Sequence, residues 1–419
     1  MTIPGTGDAP DLPTLKRAPW LEAPATQQVL AALSAAGFEG RIVGGAVRNA
    51  LMGHEVADID IATPAEPRQV MAAMDKAGLA VVPTGIGHGT VTVVVGRKPY
   101  EVTTLRRDVS TDGRRATVAF THEWEEDARR RDFTINALYC DRNGRLYDPV
   151  AGYPDIVKRR VRFIGDADQR IAEDYLRILR FFRFHAAYAS GPPDRQGMAA
   201  VVRGRKGLAH LSGERIGGET KKLLVAPGAC PTLLAMGGHG LVVDLLGMAP
   251  RPGLFGRLEA AEAALGEAPD AMLRLSALAI AVEEDKARLA TRLRLSNAEA
   301  ARLMVVDRHH LPVLEGIGEG SARALVYGCG AGQAVATAIA WATVAPEGIA
   351  DARLLHRVAR TFEPPEFPVR GRDLVPLGVR PGRQMGDVIR HVKAWWVARD
   401  FPPADEVLRE LPRLVAEVR

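Results

Sequence analysis

The period of the apolar positions changes along the chain, and the change divides it. Near the N-terminus apolar residues come in short runs, Arg41-Ile42-Val43 and then Val56-Ala57-Asp58-Ile59-Asp60-Ile61-Ala62, joined by Gly44-Gly45 and the helical stretch Ala46-Val47-Arg48-Asn49. This pattern predicts strand, turn, helix and strand. Thr90 to Val95 and Tyr100 to Thr104 flank Gly96-Arg97-Lys98-Pro99 and predict a β-hairpin. From about residue 170 the spacing becomes helical and rich in alanine and leucine, broken by Pro/Gly clusters at 226–228, 249–253 and 364–368. Ile171 to His185 contains no breaker and predicts one continuous helix. The expected fold class is α+β: an N-terminal head with a small mixed or antiparallel sheet flanked by helices, then an all-helical neck, body and tail. The expected boundaries are a flexible segment 1–24, a head 25–155 closed by Asp148-Pro149-Val150-Ala151-Gly152, a neck 156–248, a body 249–365 and a tail 366–419.

Candidate chemistry concentrates in the head. Side chains alternate faces along a strand, so Asp58 and Asp60 project to one side while Ile59 and Ile61 face the other. Magnesium takes oxygen ligands and is usually held by one or two carboxylates plus substrate phosphates, which this pair suits. Gly44-Gly45 supplies a turn whose backbone N–H groups can approach a phosphate at a helix start, and Arg48 adds a guanidinium one turn later. The plain alternative is a solvated strand end followed by a helix cap at Thr63, Pro64 and Glu66. Glu101, on the return strand of the predicted hairpin, brings a third carboxylate to the acidic side. Three clustered carboxylates repel one another unless cations lie between them, so the set points to two metal ions.

A second constellation is Glu173-Asp174-Tyr175-Leu176-Arg177, continued by Arg180 and Arg183. On one helix Asp174 and Arg177 would share a face. A carboxylate accepts from an exocyclic amine and an arginine donates to a ring acceptor, so the pair suits the Watson–Crick edges of cytosine and adenine. Uracil and guanine present a carbonyl oxygen in place of the amine, a mismatch costing roughly 1–3 kcal/mol. Taken alone, the same residues also read as a solvated helix face carrying a Glu173–Arg177 pair.

With these residues in view, Gly44 to Phe184 resembles the class II nucleotidyltransferases, the family of bacterial CCA-adding enzymes and poly(A) polymerases. Gly44-Gly45-Ala46-Val47-Arg48-Asn49 is similar to the family's GGxVRD, with Asn49 in place of its aspartate. Asp58-Ile59-Asp60 resembles the metal motif, Arg130-Arg131-Asp132-Phe133-Thr134-Ile135-Asn136-Ala137 resembles RRDFTxNA, and 173–177 resembles EDxxR. The resemblance implies template-independent addition of CMP, CMP and AMP to the tRNA 3′ end from CTP and ATP, with pyrophosphate released. It assigns two Mg2+ ions, held by Asp58 and Asp60, with Glu101 as a catalytic carboxylate. It assigns Gly44, Gly45, Arg48, Arg131, Arg180 and Arg183 to the triphosphate, Asp132 and Asn136 to the ribose, and Asp174 with Arg177 to the base. Phe133 and Ile135 are expected in the core.

The resemblance also implies that Leu105 to Ala116, polar and arginine-rich, is a mobile loop that switches from C to A, although Ala116 stands where relatives often have proline. Thr84 to Val91 is similar to the CCA-adding type rather than to the poly(A) type, which is kept as the rival on the same scaffold. Leu211 to Leu224 resembles the neck helix, and Gly371 to Trp396 the tRNA-contacting tail; Trp395-Trp396 suits either RNA stacking or a helix core. A rival from another class is a tRNA-binding chaperone, whose signature would be missing carboxylates. All three are present.

The remaining numbers narrow the class without changing it. With 419 residues and 47% hydrophobic content there is ample core for two or more domains, and no run reaches about 18 apolar residues. The first thirteen residues carry no signal or transit pattern, and Cys140, Cys230 and Cys329 fit neither a disulfide framework nor a zinc site, so a cytoplasmic location is expected. Net charge is +5, with Arg203-Gly204-Arg205-Lys206 and Lys221-Lys222 as basic patches suited to RNA phosphates. Nine lysines against forty-six arginines suit guanidinium contacts, but the excess runs through the whole chain and equally reflects a GC-rich genome. Oligomeric state is not readable from the sequence.

Overall fold

The computed structural model describes residues 12–112 and 115–418. They fall into two compact units, Met1–Gly247 and Met248–Arg419.

The first unit is built on strands β1 (Arg41–Val43), β2 (Asp60–Thr63), β3 (Ala80–Gly85), β4 (Thr90–Val95), β5 (Lys98–Thr104), β6 (Arg106–Asp112), β7 (Arg115–Phe120), β8 (Tyr139–Cys140) and β9 (Leu146–Tyr147). Seven of them form one sheet in the order β3-β4-β5-β2-β1-β8-β9, while β6 and β7 pair separately. Only β2 and β5 run parallel, so the sheet is mixed, as expected. The β4–β5 hairpin turns on Gly96 (φ 54°) and Arg97 (φ 72°), two consecutive positive-φ residues that match the twist of the flanking strands. In β4, Val91 and Val93 are fully buried, the alternation expected of one packed sheet face. Helix Pro67–Lys76 starts at a proline in N1, its Gln69 side chain accepts from the Glu66 backbone N–H at 2.8 Å, and Val70, Ala73 and Met74 are buried.

Helix Leu176–Tyr188 is fixed to the head by aromatic packing. Phe133 and Phe163 lie 5.0 Å apart, Phe133 and Phe184 5.3 Å, and Phe163 stacks on Phe181 at 5.4 Å. Phe133 and Ile135 are therefore core residues, as expected. The segment closing the head is clamped to the same place. Asp155 accepts from Thr134 Oγ1 at 2.7 Å and from Arg162 Nε at 3.0 Å, and Asp148 caps the Gly152 and Tyr153 backbone N–H groups.

Three expectations about local structure need correction. Ile171–His185 is not one helix: Ala167–Glu173 ends, Asp174 is extended (φ −156°, ψ 106°), and a new helix starts at Leu176. The cause is local, since Asp174 Oδ1 accepts from the Leu176 backbone N–H at 3.1 Å, a turn that competes with continued helix. The predicted mobile loop 105–116 is largely the β6–β7 hairpin, with Gly113 and Arg114 outside the described residues. Part of the expected flexible segment 1–24 is structured: Leu15 N–H donates to Gly144 O at 2.8 Å and Pro19–Glu22 is helical, while residues 1–11 lie outside the described residues.

The second unit holds only helices among the described residues, from Pro252–Leu265 to Ala404–Ala416. One core gathers around Trp341 and another around Trp396. Trp396 is 1% exposed and donates through Nε1 to Pro402 O at 2.8 Å, so it belongs to the core. No described helix is long and apolar enough to cross a membrane.

The clamp at the end of the head gives a stability prediction. A Cβ on Gly152 would lie 2.2 Å from the Thr134 carbonyl oxygen, a backbone atom that cannot swing aside. Gly152→Ala is expected to lower stability by about 2 kcal/mol or more in a denaturant titration, against about 0.5 kcal/mol for an ordinary surface change; a midpoint equal to wild type would show the contact to be absent.

Candidate active site

Strand pairing sets the acidic edge. Asp60 is the first residue of β2 and lies opposite Val43 on β1 and Glu101 on the parallel β5. Residues in register on adjacent strands share a sheet face, so Asp60 and Glu101 project together while Ile59 and Ile61 are buried. Asp58 precedes the strand, which begins four residues after the start of the apolar run at Val56. All three acids are exposed as residues. The Asp60 carboxyl is nevertheless pushed above its usual range, first by partial desolvation, then by Glu101 and to a lesser degree by Asp58, against the pull of Arg131. Among the described residues no group of three His, Cys, Asp or Glu side chains is placed to hold a metal ion, so the expected three-carboxylate cluster is not gathered here beyond the Asp60–Glu101 pair. The donor set fits a hard divalent cation held on one side by carboxylate oxygens.

Beside this edge lies a cleft of about 540 Å³, lined by Gly44, Gly45, Arg48, Asp60, Arg131, Asp132, Asn136, Asp174, Arg177 and Arg180 of the expected residues, joined by Arg130, Leu176, Phe184 and Arg215. Asp58, Glu101 and Arg183 are not on its wall. The Gly44 turn leaves β1 with φ +71°, a left-handed conformation that favours glycine, and opens directly into helix Gly45–Met52. One turn in, Arg48 is 6% exposed. It donates through Nη1 to Asn136 Oδ1, through Nη2 to Asn49 Oδ1 at 2.9 Å, and through Nη2 to the Tyr188 hydroxyl at 2.8 Å. Among the described residues no carboxylate lies within ion-pair distance of it, and burial lowers its pKa. Asn49, where the family has aspartate, serves as a neutral acceptor for the guanidinium beside it.

The other arginines are each matched to an acid. Arg131 donates through Nη2 to Asp127 Oδ2 at 3.0 Å. Asp132 is 9% exposed and accepts from Arg180 Nε at 2.7 Å, from Asn136 Nδ2 at 3.0 Å and from its neighbouring Phe133 backbone N–H at 2.9 Å. Burial raises its carboxyl, but Arg180 and these bonds bring it below the usual range. Arg177 donates through Nη1 to Glu173 and to Arg170 O, and Arg183 Nε lies 3.0 Å from Glu219 Oε2. The Glu173–Arg177 pair is thus present. Asp174 does not pair with Arg177; its Oδ2 accepts from Arg215 Nη2 at 2.7 Å, although both Asp174 and Arg177 line the cleft.

Four contributors were missed in the sequence. Asp127 stands three and four residues before Arg130 and Arg131, a helical spacing that could have exposed it. Tyr188, Arg215 and Glu219 reach the site only through packing of helices Leu176–Tyr188 and Gly213–Leu224, and nothing local marks them.

Known proteins resemble this chain in sequence and in fold. Residues 40–162 match the family model described as the poly A polymerase head domain. The chain is 36% identical over 369 residues to the CCA tRNA nucleotidyltransferase 1, mitochondrial, of Mus musculus, covering 85% of this chain and 82% of the relative. It is 41% identical over 217 residues to the CCA-adding enzyme of Geobacillus stearothermophilus, about half of each chain. The crystal structure of the Bacillus stearothermophilus CCA-adding enzyme in complex with CTP superposes with a TM-score of 0.74 at 28% identity, covering 93% of this chain and 96% of that one.

The raised Asp60 carboxyl fixes the sign of a pH effect. The folded chain binds that proton more tightly than the unfolded chain, so ionising Asp60 costs stability as pH rises. In metal-free buffer Asp60→Asn is expected to raise the melting temperature at about pH 8, with the gain fading by about pH 3; a melting temperature unchanged or lowered at the higher pH would contradict the assigned crowding of charge.

Proposed function

The chain belongs to the CCA tRNA nucleotidyltransferase family, whose activity is the addition of C, C and A to tRNA 3′ ends from CTP and ATP, and we propose how its own residues carry that reaction. The observation that supports the assignment of residues is convergence: segments around 44–48, 60, 130–136, 174–180 and 215 line one cleft. Relatives matched over most of the chain are CCA tRNA nucleotidyltransferases, which disfavours the poly(A) rival, and a silent chaperone would have no use for Asp60 and Glu101 held side by side at the cleft edge.

Divalent metal is general to nucleotidyltransferases of this kind. In our reading the site holds two Mg2+ ions, with Asp58 and Asp60 as ligands and Glu101 beside them. Bound there, magnesium would screen the phosphate charge and lower the pKa of the attacking 3′ hydroxyl. Strand register holds Asp60 and Glu101 side by side at this edge. The Gly44 and Gly45 turn, Arg48 and Arg131 hold the triphosphate, with Arg180 behind them through Asp132 and Arg183 one layer further back through Glu219. Arg48 is the cation best placed to take a phosphate, because its own protein partners are neutral. Asp132 and Asn136 face the ribose.

Base choice rests on Asp174 and Arg177. Each carboxylate oxygen of Asp174 has a second lone pair beyond those used by Arg215 and Leu176, so an exocyclic amine can still be accepted. The bonds of Arg177 within the protein run through Nη1, which leaves the Nε and Nη2 edge to donate to a ring acceptor. Cytosine and adenine satisfy both; uracil and guanine leave acceptor facing acceptor. We assign the head to 25–155, the neck to 156–248, the body to 249–365 and a tRNA-contacting tail to 366–419.

The direct test uses tRNA ending before CCA, incubated with CTP, ATP or both. Growth by three nucleotides and then arrest is expected; a long adenosine tract would support poly(A) addition, and no product a binding role. Asp174→Ala is expected to shrink the preference for CTP over UTP by about ten- to a hundredfold, more than it slows pyrophosphate release, and an unchanged CTP/UTP ratio would refute the role of Asp174.

A further inference from the structure

Asp127 lies on helix Trp124–Arg129, 1% exposed, and no part of the proposed mechanism uses it. Its two oxygens are crowded with donors. Oδ2 accepts from Arg131 Nη2 at 3.0 Å, from Arg131 Nε at 3.3 Å and from the Tyr139 hydroxyl at 2.8 Å, while Oδ1 accepts from Arg130 Nε at 2.8 Å. Oδ1 also accepts from the backbone N–H of Arg106, where the β6–β7 hairpin begins, at 3.4 Å. Tyr139 is fully buried on β8, in register with Val43, the residue before the Gly44 turn. One carboxylate therefore ties together the arginine motif, the strand that seats the glycine turn and the root of the hairpin.

Stability alone is a poor reason for such a group, because a buried ion pair can often be replaced by apolar residues at no loss. Direction is a better one. A planar guanidinium held along its Nε and Nη2 edge has a fixed orientation, which a single point contact would not give. The Nη1 nitrogen of Arg131 is the one left out of the Asp127 bonds, and a Cβ added to Gly44 would lie 3.7 Å from it. With the Nε and Nη2 edge fixed on Asp127, it is Nη1 that faces the glycine turn.

We propose that Asp127, together with the Tyr139 hydroxyl, is a positioning residue for nucleotidyl transfer: it does not touch the nucleotide but holds the Arg131 guanidinium with Nη1 directed at the triphosphate site. The proposal rests on the reading of Arg131 given above. Burial raises the Asp127 carboxyl, but Arg131, Arg130 and Tyr139 outweigh it and bring it down to about 2, so the carboxylate is charged throughout the working range.

Asp127→Asn keeps the shape and removes the charge. The KM for CTP and for ATP is expected to rise alike, by about ten- to a hundredfold, as for the loss of a charged hydrogen bond, with kcat falling less and the CTP/UTP preference unchanged. In an Arg131→Lys background the same change is expected to add less than about twofold, because the orientation it protects is already gone. Independent, multiplying losses would overturn the proposal, as would a shifted CTP/UTP preference. Tyr139→Phe removes one hydroxyl and is expected to raise both KM values about three- to tenfold; it carries the test if Asp127→Asn does not fold, and wild-type KM values for it would overturn the proposal. Arg131→Lys with wild-type KM values would instead bring down the triphosphate reading, and the proposal with it.

Discussion

A guanidinium moved out of water stays charged, so the protein around it has to answer that charge, and this constraint shapes the whole nucleotide cleft. Six arginines of the family motifs stand at or behind it. Five are answered by carboxylates: Arg130 and Arg131 by Asp127, Arg180 by Asp132, Arg177 by Glu173 and Arg183 by Glu219. Arg48 is answered by the neutral oxygens of Asn49, Asn136 and Tyr188. The cleft is therefore a lattice with one buried cation whose hydrogen-bond partners are all neutral, set one turn into the helix that follows Gly44. In the proposed mechanism an incoming triphosphate completes the balance of charge.

The sheet supplies the opposite sign. Asp60 and Glu101 are brought side by side because β2 and β5 run parallel and in register, the single parallel pairing in the sheet. The Asp60 carboxyl is raised there, first by desolvation and then by the neighbouring Glu101. A phosphate-seeking arginine wall beside a cation-seeking carboxylate edge is the arrangement that metal-assisted phosphoryl transfer requires. The connection between the two is short: Val43 pairs with Asp60 on one side and with Tyr139 on the other, and the next residue is Gly44.

Much of this was legible in the chain because it follows from short-range rules. Alternation in β4, the Gly44-Gly45 turn and the hairpin to Glu101 are local patterns, and the structure contains each of them. The acidic edge was legible once the hairpin was. What escaped was tertiary. Nothing in the spacing of Asp132 and Arg180, 48 residues apart, or of Arg183 and Glu219 shows that they pair, so arginines that look available for phosphate are partly spoken for. The break at Asp174 escaped for a different reason. Apolar periodicity continues smoothly through it, and only the side-chain turn onto the Leu176 N–H ends the helix there. Arg215, which holds Asp174 in the cleft, comes from a helix that packs against Leu176–Tyr188 rather than from any motif.

The measurement that reaches the centre of this account is a crystal structure of the chain with CTP and Mn2+, read by the anomalous signal of manganese. The account predicts manganese bound to Asp60 oxygen at about 2.2 Å, with triphosphate oxygens against the Gly45 backbone N–H, Arg48 and Arg131. Manganese away from Asp60, or a triphosphate that leaves Arg48 bonded only to Asn49, Asn136 and Tyr188, would contradict it.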